Sequence, residues 1–239
     1  MSSTSNMTGP EDQQSPTTKK SSTASNAPRR QASLSQGNAI RTVSTSGDWK
    51  FANTNQPLPQ AGLIPCQFTI HCPPSTDIWS RPPNIDNINS PILHKAGPLN
   101  RFHRVSAHIT GAFSLDHDMG GIIMILQNRR TGKCKWIKSG LEHYGSRRNV
   151  SVVTKQEFAD WSLFPYDHYG VTLEMRREKS GSLWVYLVVG IQRVPIREVT
   201  WVFDGEDEVD VMAGAYASRP VKKGPDLAVV FKQLEVDFH

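Results

Sequence analysis

The residues best placed to do chemistry lie in one run, Trp136-Ile137-Lys138-Ser139-Gly140-Leu141-Glu142-His143-Tyr144. In a strand, successive side chains alternate between two faces. Ile137 and Leu141 suit a core, so Trp136, Lys138, Gly140, Glu142 and Tyr144 share the opposite face. An exposed indole, an ammonium and a carboxylate around a bare glycine suit a hydroxyl-rich ligand. The ring covers an apolar sugar face and the charged groups bond hydroxyls. The plainer reading is a solvated face on which Lys138 and Glu142 form an ion pair of little consequence. A second set follows in Asp160-Trp161-Ser162. Read as the end of a loop, it presents Trp161 as a ligand platform or as a plug for the end of a sandwich, with Asp160 accepting hydroxyl hydrogen bonds. If the protein is an enzyme, Glu142 and Asp160 are the carboxylate pair to nominate. A glycosidase needs two carboxyls roughly 5–9.5 Å apart across the sugar.

Other patterns point to less. The acidic stretch Asp204, Glu206, Asp207, Glu208, Asp210 contains the turn Asp204-Gly205 and reads as solvated. It and Asp116-His117-Asp118 are conceivable calcium turns, since clustered carboxylates suit that ion, yet neither has the spacing of a calcium loop and both read first as hairpin turns. There is no G-x-S-x-G elbow, no H-E-x-x-H pair and no glycine-rich phosphate loop. Cys66, Cys72 and Cys134 form no disulfide framework and no C-x-x-C pair. The reading is three idle thiols in a reducing compartment, with no metal and no cofactor.

The elements that must position these residues are strands. Period-2 alternation dominates from residue 102 onward. It predicts strands over 105–113, 121–127, 134–144, 149–155, 169–177, 182–189, 196–203, 209–218 and 227–238. Turn signals rich in Gly, Asn and Asp separate them. Residues 156–162 are expected to make at most one helical turn, and the proline-rich stretch 73–101 an extended, irregular approach to the core. Around ten strands at this spacing predict an all-β fold, a sandwich or barrel.

Composition divides the chain in two. Of 239 residues, 37 % are hydrophobic, below the ~45–50 % of an ordinary globular chain. Residues 1–48 hold 11 Ser, 7 Thr and no aromatic residue, so they are expected to be disordered. The predicted division is a tail and linker over 1–60, with 49–60 the Pro/Gln/Asn linker, and one domain over 61–239. In the tail, Arg29 and Arg30 precede Ser33 at a spacing that a basophilic kinase reads, making Ser33 a phosphorylation candidate. The net charge of +5 is mostly a tail effect. Residues 61–239 carry 21 basic and 19 acidic side chains, spread rather than clustered, so no nucleic-acid partner is expected. No apolar run is long enough for a membrane helix and the N-terminus has no apolar signal core, so the expected setting is cytoplasmic, away from membranes.

Several blocks resemble one family. Trp136-Ile137-Lys138-Ser139-Gly140-Leu141-Glu142, Ser151-Val152-Val153-Thr154, Asp160-Trp161-Ser162 and the close Gly214-Ala215-Tyr216-Ala217-Ser218-Arg219-Pro220 with Val230-Phe231 occur in the order of the DUF1349 family. Trp79 with Pro82-Pro83 resembles that family's opening. The resemblance spans roughly residues 66–239. It implies a two-sheet jelly roll like the concanavalin A-like lectins and glucanases, with a concave face. The family includes a fungal protein called regulation of enolase, which implies intracellular residence and a link to carbohydrate metabolism. Enzymes of the wider fold carry an E-x-D-x-E strand on that face. Glu206–Asp210 matches it neither in order nor in position.

Three readings follow. The first is a non-catalytic binding or regulatory module for a sugar, a sugar phosphate or a metabolic enzyme such as enolase. In it Trp136 and Trp161 stack, with Tyr144 beside them. Lys138 contacts an anionic or hydroxyl group, and Glu142 and Asp160 accept hydroxyls. The second is a glycosidase, lyase or isomerase using Glu142 and Asp160. The third is a scaffold whose working part is the tail.

Overall fold

The structure, a computed structural model, describes residues 42–44, 49–60, 62–64 and 66–239, the first three as backbone only. The tail, Ser33 included, otherwise lies outside the described residues. Along the chain the strands are β1 (Thr42–Ser44), β2 (Lys50–Ala52), β3 (Gln67–Cys72), β4 (Ile78–Arg81), β5 (Ile85–Ile88), β6 (Ile92–Pro98), β7 (Phe102–Gly111), β8 (Met119–Asn128), β9 (Cys134–Tyr144), β10 (Arg147–Lys155), β11 (Ala159–Pro165), β12 (Gly170–Arg177), β13 (Leu183–Val189), β14 (Gln192–Val199), β15 (Val209–Ser218) and β16 (Leu227–Phe238). One sheet has the order β1-β2-β6-β15-β8-β9-β10-β11, the other β14-β13-β12-β7-β16-β3, and β4 with β5 makes a separate hairpin. All pairings are antiparallel. This is the all-β, two-sheet sandwich that the alternation predicts.

Alternation sorts the side chains. Val105, Ala107 and Ile109 of β7 and Leu173 and Met175 of β12 meet Ile122, Met124, Leu126, Ile137, Leu141, Val211 and Ala213 of the larger sheet in one core. The larger sheet is buried on its outer face too. Met119, Ile123, Ile125, Trp136, Val153 and Tyr216 form a second cluster with Ile78 and Ile88 of the hairpin. Strands covered on both sides read as continuous apolar runs. That accounts for Gly121–Gln127, GIIMILQ, in the middle of the sheet. Lys155 Nζ seats the hairpin by donating to both oxygens of Asp86, at 3.1 and 2.9 Å.

Four local expectations are corrected. The stretch 73–101 contains β4, β5 and β6. Its prolines stand at strand ends and in the β4–β5 turn, where no ladder N–H is needed, so they punctuate strands without preventing them. Residues 49–60, expected to be linker, contribute β2, which pairs with β6 through Phe51 and Leu93 and buries Phe51 in the core. Three residues are too few to show a period. The helical turn at 156–162 is instead a short turn leading into β11, which pairs with β10 and places Trp161 opposite Val153. The strand expected at 196–203 is β14. Trp201, Val202 and Phe203 lie in the turn after it, where Val202 and Phe203 are buried, so their apolar character records burial and not extension.

One buried ion pair ties the loops at the end of the larger sheet together. Arg219 donates from Nε to Asp118 Oδ1 at 2.8 Å and from Nη2 to Oδ2 at 2.7 Å, with the two side chains 4 % and 0 % exposed. Asp118 Oδ2 also accepts the N–H groups of Ser114 and Leu115. The Arg219 backbone bridges Thr76, its N–H donating to Thr76 Oγ1 and its carbonyl accepting from Thr76 N. The turn 116–118 is therefore no calcium site, since Asp118 is committed to a guanidinium. Among the described residues no three ligand-type side chains are grouped to hold a metal.

Removing one partner of a buried pair leaves an uncompensated charge, at a cost of about 3–5 kcal/mol. Asp118→Asn should lose that much in chemical denaturation, and a loss below about 1 kcal/mol would show that Arg219 finds another partner. His94 on β6 offers a pH test. Among the described residues neither of its buried ring nitrogens has a hydrogen bond of good geometry, and burial lowers its pKa from 6.5 to about 4, opposed only in part by the Lys95 backbone. The folded state holds it neutral while the unfolded chain takes up a proton near pH 6.5. Its contribution is therefore present above pH 6.5 and lost as pH falls toward 4. In His94→Phe the melting temperature should fall less over that window than in the wild type, and an unchanged slope would contradict this.

Candidate functional site

The outer face of the larger sheet is not wholly covered. Beside the hairpin it leaves a cleft of about 200 Å³, open in part to solvent and lined by Asp77, Trp79, His117, Met119, Lys138, Glu142, Val153, Trp161 and Pro220. That is smaller than the ~300–1,000 Å³ of drug-sized pockets and limits an occupant to a small molecule or one end of a larger one. The floor comes from cross-strand neighbours. Lys138 of β9 pairs with Ile123 of β8 and Val153 of β10, and Val153 pairs with Trp161 of β11. Next to Lys138 the floor has no side chain, because Gly140 faces Gly121. A Cβ on Gly121 would stand 2.0 Å from the Ser139 carbonyl oxygen, and one on Gly140 2.3 Å from that of Gly120. Only glycine allows β8 and β9 to approach this closely.

Lys138 is 1 % exposed. Its ammonium lies 5.7 Å from the ring centres of both Trp136 and Tyr216. Asp77 Oδ1 is 4.0 Å away, beyond hydrogen-bonding distance, and among the described residues Nζ makes no hydrogen bond. Burial pushes the Lys138 pKa down, and the attraction of Asp77 and Glu142 only partly opposes it. Burial likewise pushes Asp77 up, opposed by Lys138 and by the Ile78 N–H that its carboxylate accepts. Beneath them the Tyr216 hydroxyl and the Trp136 indole N–H are buried with no hydrogen-bond partner among the described residues.

Glu142 is equally buried but fully engaged. Its Oε1 accepts from His117 Nδ1 at 3.1 Å and its Oε2 from Trp161 Nε1 at 3.1 Å. His117 reaches it from a left-handed backbone position, φ 67°, beside the Asp118–Arg219 pair. The hydrogen bond from His117 to Glu142 raises the His117 pKa, with further support from Asp116 and Asp77. The walls are aromatic. Trp79 and Trp161 meet edge to face at 6.3 Å, and Tyr144, 41 % exposed, packs on His117 at 5.0 Å and on Trp161 at 5.3 Å. Two indoles at right angles, an ammonium, two carboxylates and an imidazole can together cover the C–H face of a ring and bond hydroxyls around its edge.

Set against the sequence, Lys138, Glu142 and Trp161 come together in the cleft and Tyr144 stands at its mouth. The face is buried where a solvated one was considered, because the hairpin lies over it. Trp136 is on the expected face but 0 % exposed, a support under Lys138 and not an exposed stacking platform. Trp161 projects from strand β11, not from a loop. Asp160 is on the other face of β11, opposite Thr154, and its carboxylate bonds Arg197 at 2.5 Å. The nominated pair Glu142 and Asp160 is therefore not brought together. Sequence reasoning missed Asp77, His117 and Pro220 as lining, and used Trp79 only as a family mark. The signal for His117 was in view in Asp116-His117-Asp118, set aside as a turn.

The sign of the His117 contribution is fixed by its raised pKa. It stabilises fully below the unfolded value of 6.5 and is lost as pH rises through the folded value. Thermal melts of wild type and His117→Gln from about pH 5 to 9 should show a difference that is largest at low pH and closes as pH rises. A pH-independent difference would show that His117 acts by packing alone.

Comparison with known proteins places this geometry in a context. Residues 54–238 match the family model described as protein of unknown function, DUF1349. The uncharacterized protein AN7484 of Emericella nidulans is 43 % identical over 188 residues, 78 % of this chain and 94 % of that protein. A functionally unknown protein from Saccharomyces cerevisiae has a similar structure, with a TM-score of 0.65 at 18 % identity over 80 % of this chain and 97 % of that one. A xylan β-1,4-xylosidase from Bacillus halodurans reaches 0.55 at 9 % identity over 89 % of this chain and 41 % of its own. The last two likenesses are of fold alone.

Proposed function

The chain belongs to the DUF1349 family, and from that premise we propose that it is a non-catalytic binding module whose cleft takes a sugar-like, hydroxyl-rich ligand. The observation that carries this reading is Lys138. A buried ammonium without a hydrogen bond costs stability unless something compensates it. Here it faces a cleft with carboxylates on two sides and indoles as walls. Ligand hydroxyls that accept from Lys138 and donate to Asp77 would supply the missing bonds, with Trp79 and Trp161 covering the C–H face. We place the module in the cytoplasm, where the free Cys66, Cys72 and Cys134 suit a reducing setting. Among the described residues no helix is long and apolar enough to cross a membrane. Hydrolysis by Glu142 and Asp160 is not supported, since they stand on opposite faces of the sheet. One observation favours a protein occupant as the second reading: the exposed Tyr144 ring at the mouth could dock a metabolic enzyme, enolase by the family resemblance.

The test joins stability to binding. Lys138→Met replaces a buried amine that makes no hydrogen bond among the described residues with an apolar chain of similar length, so it should melt higher, by about 2–4 °C for each kcal/mol gained. It should also lose response to ligand. A thermal-shift panel of neutral oligosaccharides, methyl glycosides, alditols, phosphorylated sugars and glycolytic intermediates would be run on wild type, Lys138→Met and Trp161→Ala. A ligand at 100 times its Kd stabilises by about 2.7 kcal/mol. We expect one class to shift wild type and neither variant. A flat wild-type panel would refute the sugar-like ligand, and a lower melting temperature for Lys138→Met would make that lysine structural.

A further inference from the structure

Lys138 is built unlike an ion-pair lysine. A lysine that holds a carboxylate bonds it at about 2.7–2.9 Å, yet Asp77 Oδ1 stands 4.0 Å from Nζ and no other acceptor is in reach among the described residues. Glu142, two residues along the same face, has both oxygens taken by His117 and Trp161. The remaining neighbours of Nζ are the faces of Trp136 and Tyr216, and the side chain still borders the open cleft. An amine desolvated by aromatic rings, next to a carboxyl and bordering an open cleft, is the arrangement that makes lysine a nucleophile toward carbonyl groups.

We infer that Lys138 captures an aldehyde or ketone reversibly as an imine, so that the ligand taken by the cleft is a carbonyl-bearing polyol, such as the open-chain form of a reducing sugar. The inference rests on the sugar-like ligand proposed above and adds the group that the lysine engages. The neutral amine adds to the carbonyl carbon, forming a C–N bond while the C=O π electrons move to oxygen. That oxygen takes the Asp77 proton and the nitrogen gives one proton up to the Asp77 carboxylate, leaving a neutral carbinolamine. A second proton from Asp77 lets the hydroxyl leave as water while the nitrogen lone pair closes the C=N bond as an iminium, and the remaining N–H proton returns to the Asp77 carboxylate to leave the neutral imine. Addition of water reverses every step, and no oxidant or reductant takes part. Burial disfavours the Lys138 ammonium and the Asp77 carboxylate alike, the direction that both the attacking amine and the proton donor require.

The full-length protein would be incubated briefly at neutral pH with glyceraldehyde or glycolaldehyde and sodium cyanoborohydride. The reagent converts an imine into a stable secondary amine, and peptide mapping by mass spectrometry then reads each lysine separately. We expect Lys138 to be modified about tenfold faster than any other lysine, and Lys138→Met to lose that adduct while the others remain. Modification of Lys138 no faster than that of the exposed Lys179 and Lys222 would overturn the inference. Thermal shifts with methyl glycosides and alditols, which have no carbonyl, run in parallel. A shift with these and no Lys138 adduct refutes the imine and leaves the sugar-like ligand standing. An adduct without any such shift upholds the imine and refutes recognition of the polyol. Neither refutes both.

Discussion

The cleft depends on Arg219. Its guanidinium holds Asp118, next in sequence to His117, and its backbone holds Thr76, next to Asp77. Pro220, the following residue, lines the cleft itself. Three segments distant in sequence are thus fixed at one point. Each sends the adjacent side chain over the sheet, where β9 presents Lys138 and Glu142 to them. The pair is fully desolvated and bidentate, the geometry in which an Arg–carboxylate interaction is most specific. A buried pair of this kind adds less to net stability than an apolar replacement can, and its value lies in setting a unique arrangement of loops.

The second feature is a sheet buried on both faces. In an ordinary sandwich the outer face of the larger sheet would meet water, and Lys138 would be a solvated lysine of no consequence. The hairpin β4–β5 changes that. By covering Ile123, Ile125, Trp136 and Tyr216 it lowers the dielectric around the ammonium, shifts Lys138 and Asp77 toward their neutral forms, and leaves the Tyr216 and Trp136 polar atoms unpartnered. Unsatisfied polar atoms in a well-packed interior need a physical account; among the described residues His94, His143 and Ser151 carry them away from the cleft as well.

How much of this was legible follows from distance along the chain. Alternation over Trp136–Tyr144 gave the correct strand and the correct shared face, because a period of two is a local property. It gave no burial, since the covering hairpin lies in the proline-rich stretch 73–101, where strands of four residues show no period. The adjacent residues Asp160 and Trp161 cannot face the same way in a strand. Reading them as a loop hid that constraint, although β11 itself alternates, with Ala159, Trp161 and Leu163 against Asp160 and Ser162. Asp77 and Arg219 were out of reach for another reason: their roles exist only through tertiary pairing. The fold class survived these misses because the strand pattern repeats many times, whereas each site residue occurs once.

The central claim, that the cleft between Trp79 and Trp161 is the ligand site, is tested most directly on the indole N–H signals of the six tryptophans. In a two-dimensional ¹H–¹⁵N spectrum Trp161, bonded to Glu142, should be set apart from the solvent-facing indoles, and single Trp→Phe variants assign the signals. Titration with the sugar class that shifts the melting temperature should move Trp79 and Trp161 saturably and leave Trp184 and Trp201 still. Movement of Trp184 or Trp201 with Trp79 and Trp161 unmoved would place binding elsewhere on the sandwich and contradict the account.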